Sequence, residues 1–200
     1  TPGPQIPDSV CIADLLAGRG VSRIRVGHFA LSEADAEESP GESAGSERGS
    51  YQDAVSGVGE AMECARTGRF IRTRQIVSLV EGLMEHLTRD PAPLLMLSTL
   101  RNHSEYTHTH IVNVTILTLA QVQAMSGDPE IVREYGVAAM MHDMGKVKIP
   151  REILDNRGRL TEADFEIIRR HPIDSLHLLR ESPGVGDLAL IVAFEHHRRF

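Results

Sequence analysis

The chain has 200 residues, a hydrophobic fraction of 41% and only 4% aromatics, which points to one main domain with a core of aliphatic and methionine side chains. Its net charge is −7, but Glu33, Asp35, Glu37, Glu38, Glu42 and Glu47 carry much of that in one polar stretch; the remainder is nearly balanced, which excludes a general surface for a nucleic-acid polymer. No run approaches the roughly 20 apolar residues of a membrane helix, and Cys11 and Cys64, without ligand spacing, fit a reducing cytoplasm.

Pro2, Pro4 and Pro7 oppose an early helix. Val10 to Ile12 and Ile24 to Gly27 read as short strands of a small lobe, too small to be stable unless it docks. Residues 32–50 hold Ser, Gly, Glu and Pro with almost no apolar residue, the composition of a linker, read as a plain spacer ahead of a regulatory acidic segment. The domain division is therefore residues 1–50, then a helical region over 51–200.

From Tyr51 the pattern is helical, and the fold class is mainly α. Tyr51 to Thr67 reads as one helix stopped by Gly68. Thr73 to Leu87 carries the stripe Ile76, Val77, Leu79, Val80, Leu83, Met84 and Leu87. Asp90-Pro91 and Asp128-Pro129 each open a helix, with Asp as cap and Pro in the first turn. Between them, residues 104–126 form a long helix with Ile111, Val114, Leu117 and Val122 inward. The helix after Pro129 runs into His142-Asp143, where Gly145 is expected to end it and leave an opening. Residues 147–160 read as a loop with one short turn, Pro150 to Leu154. Thr161 to Asp164 resembles a capping box opening a helix to His171. Pro172 breaks or restarts that helix, and a last one runs from about Gly186 into His196-His197.

His142-Asp143 can hand one nitrogen and one oxygen to a divalent metal. Lys146, three residues on, can meet an anion on that metal. A lone buried histidine is more often a hydrogen-bonded core residue than a ligand, and that reading is kept for His28, His86, His103, His108 and His177. It fails for His142-Asp143 and His196-His197, because adjacent residues on a helix face about 100° apart and one core cannot satisfy both. His110 lies at an otherwise apolar helix, where an imidazole is costly without a partner. His171 precedes Pro172, a break that exposes it. Nitrogen and carboxylate donors without cysteine suit iron, manganese or zinc and not a structural zinc finger.

Tyr106-Thr107-His108-Thr109-His110, then His142-Asp143-Met144-Gly145-Lys146-Val147-Lys148-Ile149-Pro150, then Gly158-Arg159-Leu160-Thr161, His171-Pro172 and His196-His197 resemble the HD-GYP domain, a branch of the HD metal-dependent phosphohydrolases. The resemblance covers about residues 90–200. It implies a helical HD bundle that hydrolyses cyclic di-GMP to the linear dinucleotide pGpG, with further cleavage to GMP as an added step. It also implies His110, His142, Asp143, His171, His196 and His197 as metal ligands, Asp143 as the bridge between ions, and Lys146 on the scissile phosphate. Arg157, Arg159, Arg169 and Arg170 are candidates for the second phosphate or the bases, against a solvated basic face as the commoner reading.

The family continues after the paired histidines with Glu-Arg and, further on, Gly-Tyr-Pro. Here Arg198-Arg199-Phe200 follows, and the sequence in hand stops in mid-motif, so the Gly-Tyr-Pro segment and the next aspartate would lie beyond Phe200. Arg198 stands where the family has glutamate, reversing a charge near the metals. That keeps open a catalytically weak regulatory or binding module, and an HD phosphohydrolase for another nucleotide is the remaining alternative. Trinuclear members place a glutamate four residues before the first histidine; Tyr106 stands there, so two ions are expected, iron or manganese first and zinc, nickel or magnesium after them. A homodimer or a signalling-protein partner is left open.

Overall fold

The computed structural model describes residues 42–99, 106–156 and 158–198, with the side chains of residues 42–45 and 106 left aside. The strands expected in residues 10–12 and 24–27 lie outside the described residues, as do His28, His103 and Arg157.

Every described element is helical: α1 (Glu42–Arg66), α2 (Thr73–Arg89), α3 (Pro91–Ser98), α4 (Tyr106–Met125), α5 (Pro129–Met141), a 3-10 helix (Met144–Lys148), α6 (Arg151–Leu154), α7 (Glu162–Ile168), α8 (His171–Glu181) and α9 (Asp187–Glu195). The starts follow the expected chemistry. Asp90 accepts from the Ala92 N–H at 3.0 Å, and Asp128 from the Glu130 N–H at 2.9 Å. At α7 the Asp164 N–H donates to Thr161 Oγ1 while the Thr161 N–H donates to Asp164 Oδ2, a complete capping box. Among the described residues no helix is long and apolar enough to cross a membrane.

The core is one cluster. The α2 stripe contributes Ile76, Val80, Leu83 and Leu87; α4 contributes Ile111, Val112, Ile116 and Leu119; α5 and the turn after it contribute Met140, Met141 and Met144. Burying each such side chain stabilises the fold by about 1.5–3 kcal/mol. α5 lies close against α4 and α2, because a Cβ on Gly136 would come within 2.5 Å of Leu119 and 2.7 Å of Val80. α9 packs on α5 and α8, and the 3-10 helix packs on α8. The ends of α5, α8 and α9 and the 3-10 helix are thereby brought to one place.

Two expectations need correction. Helix α1 begins at Glu42, not Tyr51, so residues 42–50 are helical although their composition reads as linker. Glu47 is buried with its Oε1 3.5 Å from His86 Nδ1, and Ser50 Oγ lies 2.8 Å from His86 Nε2. These polar contacts with α2 hold a segment that has no apolar stripe of its own. On α4, Leu117 is 54% exposed and Val114 and Val122 are only half-buried, while Val112, Ile116 and Leu119 are buried. The helix is apolar on most sides, so periodicity did not single out one inward face.

Candidate metal centre

Asp143 is the centre of the site. It lies just past the end of α5, 1% exposed, and four imidazoles and one ammonium surround its carboxylate. Oδ2 faces Lys146 Nζ at 2.6 Å, His142 Nε2 at 3.1 Å and His110 Nε2 at 3.7 Å. Oδ1 faces His171 Nε2 at 3.2 Å and His196 Nε2 at 3.4 Å. His197 completes the second side, its ring centroid 4.3 Å from that of His196 and 5.0 Å from that of His171. The donor atoms thus form two groups, His110, His142 and Asp143, and His171, His196 and His197, each within 4.8 Å of one another. His142 and His171 form a buried floor, so the break at Pro172 does not expose His171 as expected, because its ring turns inward toward Asp143; His110, Lys146 and His196 are partly exposed, and His197 sits toward solvent.

Three of the imidazoles are oriented by the end of the helix that precedes them. His142, His171 and His196 each direct Nδ1 at the carbonyl three residues earlier, Ala139 at 2.6 Å, Ile168 at 2.6 Å and Ala193 at 3.0 Å. A carbonyl only accepts, so Nδ1 carries the proton in the neutral ring and Nε2 keeps its lone pair. The lone pairs of His171 and His196 then face each other at 3.1 Å and converge on Asp143 Oδ1. That oxygen is buried and receives no hydrogen bond. Acceptors crowded this way repel unless a cation lies among them. Separations of 3.1–3.4 Å are those of two donors sharing one ion at about 2.1 Å each. The residues fit a metal, and a donor set of imidazole and carboxylate suits a borderline divalent ion.

The electrostatics agree. Burial pushes the Asp143 carboxyl up, but the His142, His171 and His196 rings, when protonated in the metal-free chain, outweigh it and hold the group far below the usual carboxylate range. Burial pushes His110 and His197 down, helped by Lys146 beside His110 and by His196 and His171 beside His197. All three shifts favour the ligand forms, carboxylate and neutral imidazole.

Gly145 acts differently from the expectation. It does not end α5 in a left-handed turn; it sits buried inside the 3-10 helix, which continues from the end of α5, and its φ is not positive. Its value is close approach: a Cβ there would come within 2.2 Å of the His171 carbonyl oxygen and 2.4 Å of the Ser175 nitrogen. The Gly145 N–H donates to Ser175 Oγ at 2.7 Å. Ser175 carries no motif signal, and only the packing of α8 on the 3-10 helix identifies it.

The arginines divide. Arg169 is held by Glu162 at 2.9 Å and by Glu166, and lies over the Phe165 ring. Arg159 and Arg170 are exposed. Arg198 pairs with Glu195 at 3.2 Å and stacks on Phe194, so its charge is engaged on α9. Of the histidines read as core residues, His86 is buried and bonds to Ser50, whereas His177 lies on the outer face of α8 and is exposed. An open groove of about 930 Å³, lined by Phe70, Arg72, Arg74 and Pro183 among others, contains none of the clustered histidines.

The HD domain family matches residues 76–200. A cyclic di-GMP phosphodiesterase of Pseudomonas aeruginosa is 36% identical over 135 residues, covering 68% of this chain and 33% of the relative. A cyclic di-GMP phosphodiesterase of Thermotoga maritima is 34% identical over 108 residues, covering 54% and 29%. A 3'3'-cGAMP-specific phosphodiesterase of Vibrio cholerae is 29% identical over 106 residues, covering 53% and 24%. The chain thus spans about a third or less of the length of these relatives, and no solved structure gives a significant match. With its helical architecture, its His142-Asp143 pair at the centre of converging histidines, and a family match over most of its length, the chain belongs to the HD-domain family and is of the HD-GYP-like kind.

Proposed function

We propose that the chain is the catalytic part of a metal-dependent phosphodiesterase that hydrolyses cyclic di-GMP to linear pGpG, with GMP as the product of a further cleavage. The observation that carries this reading is the Asp143 carboxylate between two sets of imidazoles, one on each oxygen. The names of the Pseudomonas and Thermotoga relatives support the substrate class.

In this reading His110, His142 and Asp143 would hold one ion and His171, His196 and His197 the second, with the Asp143 carboxylate shared between them. Iron or manganese is our first choice of metal. When bound, two such ions supply Lewis-acid activation of water and neutralise a phosphodiester that is otherwise a poor electrophile. The chain's own groups supply the rest. The carbonyls of Ala139, Ile168 and Ala193 hold three imidazoles in the ligand tautomer, and the buried floor excludes bulk water. The Lys146 ammonium offsets charge developing on the phosphate oxygens. Arg159 and Arg170 are our candidates for the second phosphate or the bases, with Arg157; Arg169, engaged by two glutamates, is the weakest of the four. We place the reaction in the cytoplasm, on cysteine usage, and assign the signal input to residues 1–50 ahead of the catalytic region 51–200, with α1 crossing that boundary. A second copy or a signalling protein is the partner this division invites.

A second reading, an HD phosphohydrolase for another cyclic dinucleotide, is favoured by the similarity to the 3'3'-cGAMP-specific enzyme. A third, a weakly catalytic binding module, rests on Arg198. The test is turnover of metal-loaded protein on cyclic di-GMP, 3'3'-cGAMP, cyclic AMP and nucleoside triphosphates, with elemental analysis. Turnover of cyclic di-GMP above the others, lost together with metal in Asp143→Ala, supports the proposal. Stoichiometric metal without turnover favours the module, and native activity in Asp143→Ala refutes the centre.

A further inference from the structure

The two oxygens of Asp143 are not equivalent. Oδ1 is buried, receives no hydrogen bond and faces two imidazole lone pairs. Oδ2 already has a cation against it, the Lys146 ammonium at 2.6 Å. Lys146 reaches back from the 3-10 helix, three residues after Asp143, on a flexible four-carbon stem whose side chain is 18% exposed. A divalent ion approaching the His171, His196 and His197 side meets only acceptors. One approaching the His110 and His142 side meets a like charge on the carboxylate oxygen it needs.

Resting on the metal-centre reading above, we propose that Lys146 gates metal loading: the His171, His196 and His197 side fills first, and the His110 and His142 side fills only when the ammonium leaves Oδ2. The same residue then has two positions, an internal counter-ion of the half-loaded protein and, once displaced, a free cation at the mouth of the site where an anionic phosphodiester arrives. Two-ion loading and readiness for substrate are thereby coupled through one side chain.

The gate is tested on the full chain, stripped by chelator and titrated with Mn²⁺ by calorimetry. Two separate steps are expected, the second weaker. His171→Ala should remove the tighter step and His110→Ala the weaker one. Lys146→Met, which keeps length and removes charge, should tighten the second step by roughly tenfold or more and draw the two together, whereas Lys146→Arg should preserve the separation. Circular dichroism of each variant reports whether it is folded. Two steps whose second affinity is the same in Lys146→Met as in the unaltered chain would overturn the gate while leaving the binuclear centre standing. Failure to bind any Mn²⁺, Fe²⁺ or Zn²⁺ would overturn both.

Discussion

The backbone N–H of Gly145 donates to the Oγ of Ser175 at 2.7 Å, and this bond fastens the turn that carries Asp143 and Lys146 to the helix that carries His171. The two sides of the candidate centre come from different elements, and here they are joined through one short side chain.

Ser175→Ala leaves the Gly145 N–H buried without its acceptor, which costs about 1–3 kcal/mol. We expect that loss in urea unfolding, together with weaker metal binding, and expect Ser175→Thr to restore part of both. Gly145→Ala should be worse, because its Cβ meets backbone that cannot yield, the His171 carbonyl oxygen at 2.2 Å; about 3 kcal/mol or more is expected. A Gly145→Ala protein with unaltered stability would show that the contact is looser than described.

The buried Glu47, His86 and Ser50 cluster holds the start of α1 to α2 and lies outside the metal centre. His86→Ala should lower stability by about 1–3 kcal/mol, leaving buried polar atoms unpaired, while kcat and metal content stay unchanged. In a double-mutant cycle Glu47→Ala and His86→Ala should be strongly non-additive. Additive effects would mean that the 3.5 Å pair is not coupled.

For substrate recognition the arginines should separate. Arg159→Ala and Arg170→Ala should raise KM for cyclic di-GMP with little change in kcat. Arg169→Ala should alter KM little, since its guanidinium is committed to Glu162 and Glu166, and stability should change little because those pairs are exposed. Steady-state kinetics of the three variants decides the matter, and a rise in KM confined to Arg169→Ala would reverse the assignment.

Acid should weaken the metal-free fold. His110 and His197 are depressed, so the unfolded chain binds protons that the folded chain resists, and stability rises with pH across their range. The penalty sets in as pH falls below the ordinary imidazole value of about 6.5 and is complete below the depressed folded values. Asp143 adds a loss of the same sign below the ordinary carboxylate value of about 4. Thermal melts of chelator-treated protein should therefore show Tm falling from pH 7.5 to pH 5. A Tm that rises over that interval would contradict the sign of these shifts.

The order of helices was legible in the chain because local chemistry decides it. Asp90-Pro91, Asp128-Pro129 and Thr161 with Asp164 cap their helices from within a few residues, and the α2 stripe declares its face at Ile76, Val80 and Leu83. The candidate ligands were legible too, because an imidazole beside a carboxylate at an apolar helix end has few other uses. Tertiary structure alone decided that Glu42 to Ser50 is helix, that Ile116 and not Leu117 faces inward, and that Gly145 serves close approach. It also decided that Ser175 ties the two sides together and that Lys146 lies on one oxygen of Asp143 while the other is left to His171 and His196. Apart from the Lys146 contact, which spans three residues, these facts depend on segments tens of residues apart packing together, and spacing along a single chain carries no record of which remote partner will meet a given side chain.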